Sequence, residues 1–415
     1  MSTARAHWVE LPISLELTGA AYTVRLRLGS DQVPVELIID TGSSSLAVLP
    51  TAYQGERDAS LQASDLAQQL SYGQGAWTGP VVCSDLRLDH SGHHLANTQL
   101  AVIEAETTDF RGADGIIGLA YHSLDPAHVV SALLPAPASQ SWPWPFDSSQ
   151  SQSAEFSRQL QAQPRVELTP PFTALEEHGV VSNRFSLLIR RALKRALPQA
   201  RRHPENQGRL LLGGGHELAH LHDGVVVSIP VVHDRYYNVV LQSLQVGEQS
   251  PLPAPALRSS ELRSYASNAI IDTGSSFILL EDSLYQGMLD GLAQIDPRLL
   301  SAIEAFGNTL KNQSGLVDAT LESLPWPELK FHFRGVDGAT ATLVLSPAHY
   351  WQHDGLRVGE SWFMLLRQLP DWPRQSVLGL PLMCDQMVVF DRQARTAGVI
   401  HFASAIAPVS AEQAY

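Results

Sequence analysis

The sequence predicts an all-β protein made of two similar lobes, and three observations support this prediction. Short apolar runs bounded by Gly, Pro, Asp or Ser recur along the chain, such as YTVRLRLG at 22–29 and MVVFD at 387–391. The heptapeptide IIDTGSS occurs twice, at 38–44 and at 270–276. The length of 415 residues suits two domains, at roughly 100–200 residues each.

The internal repeat extends beyond the heptapeptide. Each copy is followed by an apolar pair and a glycine, in GIIGLA at 115–120 and in SVLGLP at 376–381. Two copies of so long a period cannot stack as a repeat array, so they indicate two related lobes. We expect an N-terminal lobe over 1–188, a C-terminal lobe over 189–415, and a cleft between them.

Composition excludes several classes of protein. Hydrophobic residues make up 44% of the chain and charged residues 17%, which is enough apolar material for a large core. The net charge of −14 argues against nucleic acid or an anionic membrane as a partner. No apolar run approaches the roughly 18–20 residues of a membrane span, and the N-terminus lacks the pattern of a secretory signal.

The two cysteines, Cys83 and Cys384, are far apart in sequence and are too few for a disulfide scaffold. We interpret both as small hydrophobic core residues and expect a reducing, cytoplasmic location.

Regular helices are predicted only in short stretches, at 172–179, at 281–292 and in the basic stretch 184–197. The segment 132–164 is rich in Pro, Ser and Gln, which predicts a long loop or flexible insertion. Trp142 and Trp144 are candidates for docking that segment onto the body of the protein.

The repeated motif carries the chemistry. A buried strand that ends in Asp-Thr-Gly holds one carboxylate on a rigid element, and the glycine permits a sharp turn. Two such turns facing each other would bring Asp40 and Asp272 together. Two carboxylates about 3 Å apart share one proton, because both cannot ionise cheaply. The pair can then act as base and acid around one water molecule.

These motifs resemble the pepsin-like aspartic peptidases over nearly the whole chain. Two hydrophobic-hydrophobic-Asp-Thr-Gly-Ser-Ser strings, each with a later hydrophobic-hydrophobic-Gly, form a specific pattern. The string QLSYGQGAWTG is similar to the family's active-site flap, and 113–124, 169–189 and 388–403 are similar to other family segments. The resemblance implies a pepsin-like fold and an aspartic endopeptidase that needs no cofactor and no metal.

The resemblance also implies roles for single residues. Asp40 and Asp272 would be the catalytic pair. Thr41 and Thr273 would cross-link the two loops, and Ser43 and Ser275 would hydrogen-bond the outer carboxylate oxygens. The substrate backbone would be contacted by residues of the loops and the flap: Gly42, Gly274, Tyr72, Gly73 and Gln74.

Three features depart from the family pattern. Ala47 stands where the family usually has the Trp that hydrogen-bonds the flap Tyr, and Trp77 is one candidate to replace it. The family's disulfides are absent. Only 39 residues precede Asp40, from which we expect no inhibitory propeptide. Together these features are most similar to the intracellular bacterial pepsin homologues of the shewasin type.

Two alternatives come from other classes of protein. His216-Glu217-Leu218-Ala219-His220 spells the H-E-x-x-H motif of zinc peptidases, which requires a helix that places both histidines on one face. The other alternative is a peptide-binding protein with a pepsin fold and no activity.

The favoured function is hydrolysis of peptide bonds in a peptide or protein substrate by a monomer. We expect an acidic pH optimum, sensitivity to pepstatin, and a preference for hydrophobic residues around the cut, the last because of apolar neighbours such as Ile116 and Ala113. The sequence does not indicate the natural substrate.

Overall fold

The computed structural model describes residues 8–15, 21–72, 75–88, 91–106, 110, 112–197, 200–310, 312–370 and 372–406. The protein is mostly β, with 39% strand and 21% helix. This composition confirms the predicted all-β class.

The chain divides into two compact units. One, here called the N-terminal unit, is Thr23–Val181, and the other, the C-terminal unit, is Met1–Tyr22 with Ser182–Tyr415. The predicted lobe boundary at residue 188 stays a prediction. Each unit contains one copy of the repeated heptapeptide.

The described strands run in the following order. From the N-terminus to the end of the N-terminal unit they are β1 Val9–Leu15, β2 Tyr22–Leu28, β3 Val33–Asp40, β4 Leu46–Val48, β5 Gln62–Tyr72, β6 Gly75–Leu88, β7 His94–Val102, β8 Ala105–Glu106, β9 Gly115–Gly118, β10 Pro126–Val129 and β11 Arg165–Glu167. The remainder are β12 Arg184–Leu188, β13 Gln207–Leu212, β14 His222–Pro230, β15 Asn238–Val239, β16 Leu241–Val246, β17 Leu252–Pro253, β18 Ala269–Ile271, β19 Ile278–Leu280, β20 Leu316–Val317, β21 Leu329–Arg334, β22 Thr340–Leu345, β23 Trp351–Gln352, β24 Glu360–Phe363, β25 Leu365–Arg367, β26 Ser376–Leu378, β27 Gln386–Asp391 and β28 Val399–Ala405.

The described α-helices are short apart from two. They are α1 Ser148–Ser151, α2 Ala154–Gln161, α3 Pro171–Glu177, α4 Ser259–Tyr265, α5 Asp282–Ile295, α6 Pro297–Leu310, α7 Asp318–Glu322 and α8 Pro347–Tyr350. Short 3₁₀ turns lie at Gly55–Arg57, His122–Leu124, Ala200–Arg202, Pro204–Asn206 and Leu380–Met383.

In the N-terminal unit, β3 is the central strand that leads into the first Asp-Thr-Gly loop. It pairs antiparallel with β2 and parallel with β9. Strand β4 pairs antiparallel with β9 and parallel with β7, and β5 and β6 form a long hairpin. Four consecutive residues of β3, from Leu37 to Asp40, are buried, as expected for a strand covered on both faces.

In the C-terminal unit, β1 joins an antiparallel sheet by pairing with β13. That sheet continues through β12, β27, β28 and β14. A second sheet has the order β15, β18, β26, β19 and β25, and it carries the second Asp-Thr-Gly loop. Strand β1 alternates buried and accessible residues, which is typical of a strand with one face on the core.

The two longest helices, α5 and α6, pack on the C-terminal unit through apolar faces. Leu284, Met288 and Leu292 are buried on α5, and Ile303 and Phe306 are buried on α6. Glu281 caps α5, because its carboxylate accepts hydrogen bonds from Ser283 N and Leu284 N. The predicted helices at 172–179 and 281–292 are present, whereas α6 was not predicted.

The predicted helix at 184–197 is wrong. Residues 184–188 form strand β12, and bends follow it. Strand β12 lies between β13 and β27, and Phe185 is 1% exposed. Burial in a sheet therefore outweighs the helical propensity of the basic residues.

The segment 132–164 is more ordered than the predicted loop, because it contains α1 and α2. Phe146, Phe156 and Leu160 pack with Ala67 of β5, and Trp144 is packed against this cluster. Trp142 lies against Gly55. The segment is thus held on the N-terminal unit by the aromatic residues between its polar stretches.

Among the residues described, no helix is long and apolar enough to cross a membrane.

Candidate active site

The first half-site is built at the end of β3, where the strand delivers Asp40. The Asp40 side chain is 5% exposed. Gly42 N donates to its Oδ1 at 2.7 Å, and Ser43 Oγ donates to its Oδ2 at 2.5 Å. Each carboxylate oxygen is therefore held by a donor from the turn that follows the strand, which fixes its direction.

The end of strand β9 and the two residues after it hold this turn through backbone hydrogen bonds. Leu119 N donates to Asp40 O at 2.6 Å, Ala120 N donates to Ser43 O at 2.8 Å, and Gly118 N donates to Ser45 O at 2.9 Å. A Cβ at Gly118 would overlap Ser44 Cα and Ser43 O. The glycine of the GIIGLA string is thus required because another backbone runs directly against it.

The second half-site has the same plan at the end of β18. Asp272 follows Ile271 directly and is a partly buried residue. Gly274 N donates to Asp272 Oδ1 at 2.9 Å. Asp272 N donates to Leu378 O at 3.1 Å, so β26 holds this loop as β9 holds the first.

Gly379 is the counterpart of Gly118. A Cβ at Gly379 would overlap the carbonyl oxygens of Ser275 and Phe277. Strand β18 pairs parallel with β26, and β19 pairs antiparallel with β26, just as β3 and β4 pair with β9. The predicted duplication is therefore present at the level of individual backbone contacts.

The serines at equivalent positions in the two half-sites, Ser43 and Ser275, make different hydrogen bonds. The predicted hydrogen bond from Ser43 to the carboxylate is present, but the one from Ser275 is not. Ser275 Oγ donates to Phe277 O at 2.8 Å instead. The repeated heptapeptide could not reveal this difference, because the rotamer of Ser275 is set by the chain that follows it.

Thr41 and Thr273 are buried, at 0% and 2% exposed. Both follow the aspartates directly, and burial of their hydroxyls agrees with a structural role. The cross-link that they were expected to form stays a prediction.

The segment that was predicted to be the flap lies at the tip of the β5–β6 hairpin, where Tyr72 pairs with Gly75. Gly73 and Gln74 lie outside the described residues. Trp77 pairs with Leu70 on the same hairpin and is 1% exposed. Ala47 is fully buried in β4, and the proposed replacement of the family's Trp by Trp77 stays a prediction.

The apolar residues that suggested a hydrophobic substrate preference belong to the core. Ile116 pairs with Ile38 across β9 and β3 and is 6% exposed, and Ala113 is 4% exposed. Their side chains therefore give no support to that preference.

The H-E-x-x-H string lies in turns between β13 and β14. Arg184 pairs with Glu217 at 2.8 Å, and Glu217 also accepts from Gly215 N at 3.1 Å. The helix that a zinc site would need is replaced by turns at 216–217 and 219–220, and the described residues contain no group of metal-binding side chains. The string does not have the geometry of a zinc peptidase.

One polar group next to the first half-site was not predicted from the sequence. Asp125 is 2% exposed, and its Oδ1 accepts from Ser45 Oγ at 2.6 Å and from Gln68 Nε2 at 2.7 Å. Burial raises the pKa of Asp125 to about 6, although the hydrogen bonds from Ser45 and Gln68 oppose the rise. No motif contains Asp125, so only the folded arrangement reveals it.

Comparison with known proteins gives one matching family and two similar proteins. The profile of the family described as eukaryotic aspartyl protease matches residues 161–403. Beta-secretase of Strongylocentrotus purpuratus is 20% identical over 417 residues, which cover 95% of this chain and 68% of that protein. The crystal structure of aspartic proteinase from Irpex lacteus matches with a TM-score of 0.62 at 14% identity, over 96% of this chain and 97% of that chain.

The fold and the two Asp-Thr-Gly turns define an aspartic-type endopeptidase. Since the family profile matches more than half of the 415 residues, the chain belongs to the aspartyl protease family. The matched region includes the Asp272 loop, whereas Asp40 and the flap hairpin precede it. The structural likeness to the Irpex lacteus enzyme concerns the fold.

Proposed function

We propose that Asp40 and Asp272 are the catalytic pair of this endopeptidase. One observation carries the proposal: the chain contains twice the same buried strand, the same Asp-Thr-Gly turn, and a glycine, Gly118 or Gly379, whose backbone lies directly against that turn. In each copy the backbone N–H of the glycine two residues on binds the carboxylate. A rigid frame of this kind suits a carboxylate that must hold a water molecule in a fixed position.

In the proposed reaction, the two carboxylates share one proton and bind one water molecule between them. The ionised carboxylate takes a proton from the water as its oxygen attacks the peptide carbonyl carbon. The protonated carboxyl donates to the carbonyl oxygen and stabilises the charge that develops there. The tetrahedral intermediate then collapses, the C–N bond breaks, and a proton passes to the leaving amine. No covalent bond to the enzyme forms.

Several finer properties belong to the same proposal. Activity is greatest below about pH 5, because the dyad must hold one proton. The enzyme is inhibited by pepstatin and acts as a cytoplasmic monomer in the manner of the shewasin-type bacterial enzymes. The two cysteines, Cys83 and Cys384, are both free, which supports a reducing location.

The proposal is tested by replacing each aspartate with its uncharged isostere. Asp40→Asn and Asp272→Asn should each lower kcat for a synthetic peptide at least about 10³-fold, since neither carboxyl group works alone. His220→Ala is the matched control from the alternative zinc motif and should keep the activity of the unmodified enzyme. Circular dichroism shows whether each variant is folded. Turnover near normal in either folded Asp variant would contradict the assignment.

A further inference from the structure

A buried cluster of Asp125, Ser45 and Gln68 adjoins the first half-site. Ser45 belongs to the loop that begins at Asp40, and Gln68 lies on β5, four residues before the flap tyrosine Tyr72. Gln68 and Ser45 are both fully buried. One carboxylate oxygen therefore joins the catalytic loop to the flap strand.

Hydrogen bonds link each of the three side chains of the cluster to the other two. Ser45 Oγ and Gln68 Nε2 both donate to Asp125 Oδ1, and Gln68 Nε2 also lies 3.0 Å from Ser45 Oγ. Gln68 Nε2 further donates to Pro126 O at 3.1 Å. The other amide atom, Gln68 Oε1, is buried and has no hydrogen-bond partner among the residues described.

The backbone of Asp125 is held by hydrogen bonds, which limits the movement of its side chain. Asp125 N donates to His122 O at 3.1 Å, and Leu168 N donates to Asp125 O at 2.8 Å. Strand β10 begins at the next residue and pairs with β5. Movement of the flap strand relative to the catalytic loop must therefore stretch the bonds to Asp125.

We infer that Asp125 is a positioning residue of the peptidase, which holds the Asp40 loop and the flap strand in register through Ser45 and Gln68. This inference rests on the proposed function of Asp40 and the flap hairpin. Hydrogen bonds to an ionised carboxylate are roughly twice as strong as those to a neutral acid. The ionised form of Asp125 consequently binds Ser45 and Gln68 more strongly than the protonated form does, although its burial destabilises the folded protein as a whole.

The charges around Asp125 do not compensate for its burial. The electrostatic effect of His122 lowers the pKa of Asp125, but this effect is weaker than that of burial. On the neighbouring elements, Asp65 is bonded to Ser131, and Arg165 and Glu167 are exposed.

The remaining neighbouring ionisable groups have other partners. Asp40, at the start of the same loop, is bound by Gly42 and Ser43. His128 on β10 lies 3.2 Å from Gln163 O. With its pKa raised by burial to about 6, Asp125 changes its charge between the proposed acidic optimum and neutral pH. The ionised cluster thus supports activity on the neutral side of the optimum.

The kinetic experiment compares the unmodified enzyme with Asp125→Asn, which keeps the shape of the protonated acid. The two should have kcat values within about threefold of each other at pH 4.5. At pH 7.5 the kcat of the variant should be about tenfold below that of the unmodified enzyme. The ratio of the two kcat values should change with a midpoint near pH 6. Asp65→Asn, which removes a carboxylate from the surface of β5, is the matched control and should show no such divergence. A ratio that is constant with pH would overturn the inference.

A second measurement does not depend on catalysis. Hydrogen exchange of peptides covering 40–48 and 62–72, corrected for intrinsic rates and expressed relative to a peptide covering 95–102 in the same unit, which reports the change in overall stability, should show several-fold more protection at pH 7.5 than at pH 4.5 in the unmodified enzyme. The increase should be absent in Asp125→Asn. Should that variant not fold, Ser45→Ala should reduce the increase in 40–48. Equal protection at both pH values would overturn the inference, even if Asp40→Asn retained activity and the proposed function had failed.

Discussion

Ser43 and Ser275 occupy equivalent positions in the repeated heptapeptide, yet their hydroxyls bond different groups. Ser43 Oγ donates to the Asp40 carboxylate, and Ser275 Oγ donates to a backbone carbonyl. We predict that Ser43→Ala shifts the alkaline limb of the pH–kcat/KM profile upward, because a donor to the ionised carboxylate is lost. Ser275→Ala should leave that limb in place. Equal shifts in the two variants would contradict the asymmetry seen in the structure.

The raised pKa of Asp125 also predicts how the stability of the protein depends on pH. Its pKa is raised in the folded protein from an ordinary value of 3.8 to about 6, so the folded state binds more protons than the unfolded state between these values. The free energy of unfolding therefore falls as pH rises from about 3.8 to 6. Asp125→Asn has no such titration. Its stability relative to the unmodified protein should rise by roughly 2–3 kcal/mol between pH 3.5 and 7.5 in urea unfolding. A difference in stability that stays constant between these pH values would contradict the account.

At the scale of elements, the crossing strands β9 and β26 depend on a glycine each. Gly118→Ala and Gly379→Ala should each cost more than about 3 kcal/mol and abolish activity, since the added Cβ meets backbone atoms that cannot give way. Gly307 lies exposed on α6 with nothing within 4 Å of an added Cβ. Gly307→Ala is therefore the matched control and should stabilise by about 0.5–1 kcal/mol. Thermal unfolding of the three variants tests the difference.

Some elements could be predicted from the sequence and others could not. The strands before Asp40 and Asp272 were predictable, because a buried apolar run followed by Asp-Thr-Gly is a local pattern. Strand β12 was not, because its burial between β13 and β27 depends on a strand, β27, that is distant in sequence. The cluster around Asp125 escaped prediction for the same reason: Ser45, Gln68 and Asp125 carry no common motif.

At the scale of the whole molecule, strand β1 near the N-terminus is part of the fold. Strand β1 pairs with β13 over six residue pairs, and Leu11, Ile13 and Leu15 are at most 2% exposed. Removal of residues 1–15 should destabilise the protein by well over 3 kcal/mol, because these side chains lose their burial, and should lower activity. An increase in activity after this truncation would show that the segment acts as an inhibitor.

The most direct test of the two-carboxylate mechanism is digestion of a denatured protein at acidic pH in three parallel arms: no addition, pepstatin, and a zinc chelator. The account predicts that the enzyme cleaves in the first arm, loses activity with pepstatin and keeps full activity with the chelator. Loss of activity with the chelator alone would favour the H-E-x-x-H motif, and absence of cleavage in every arm would favour a binding protein. Either result would contradict catalysis by Asp40 and Asp272.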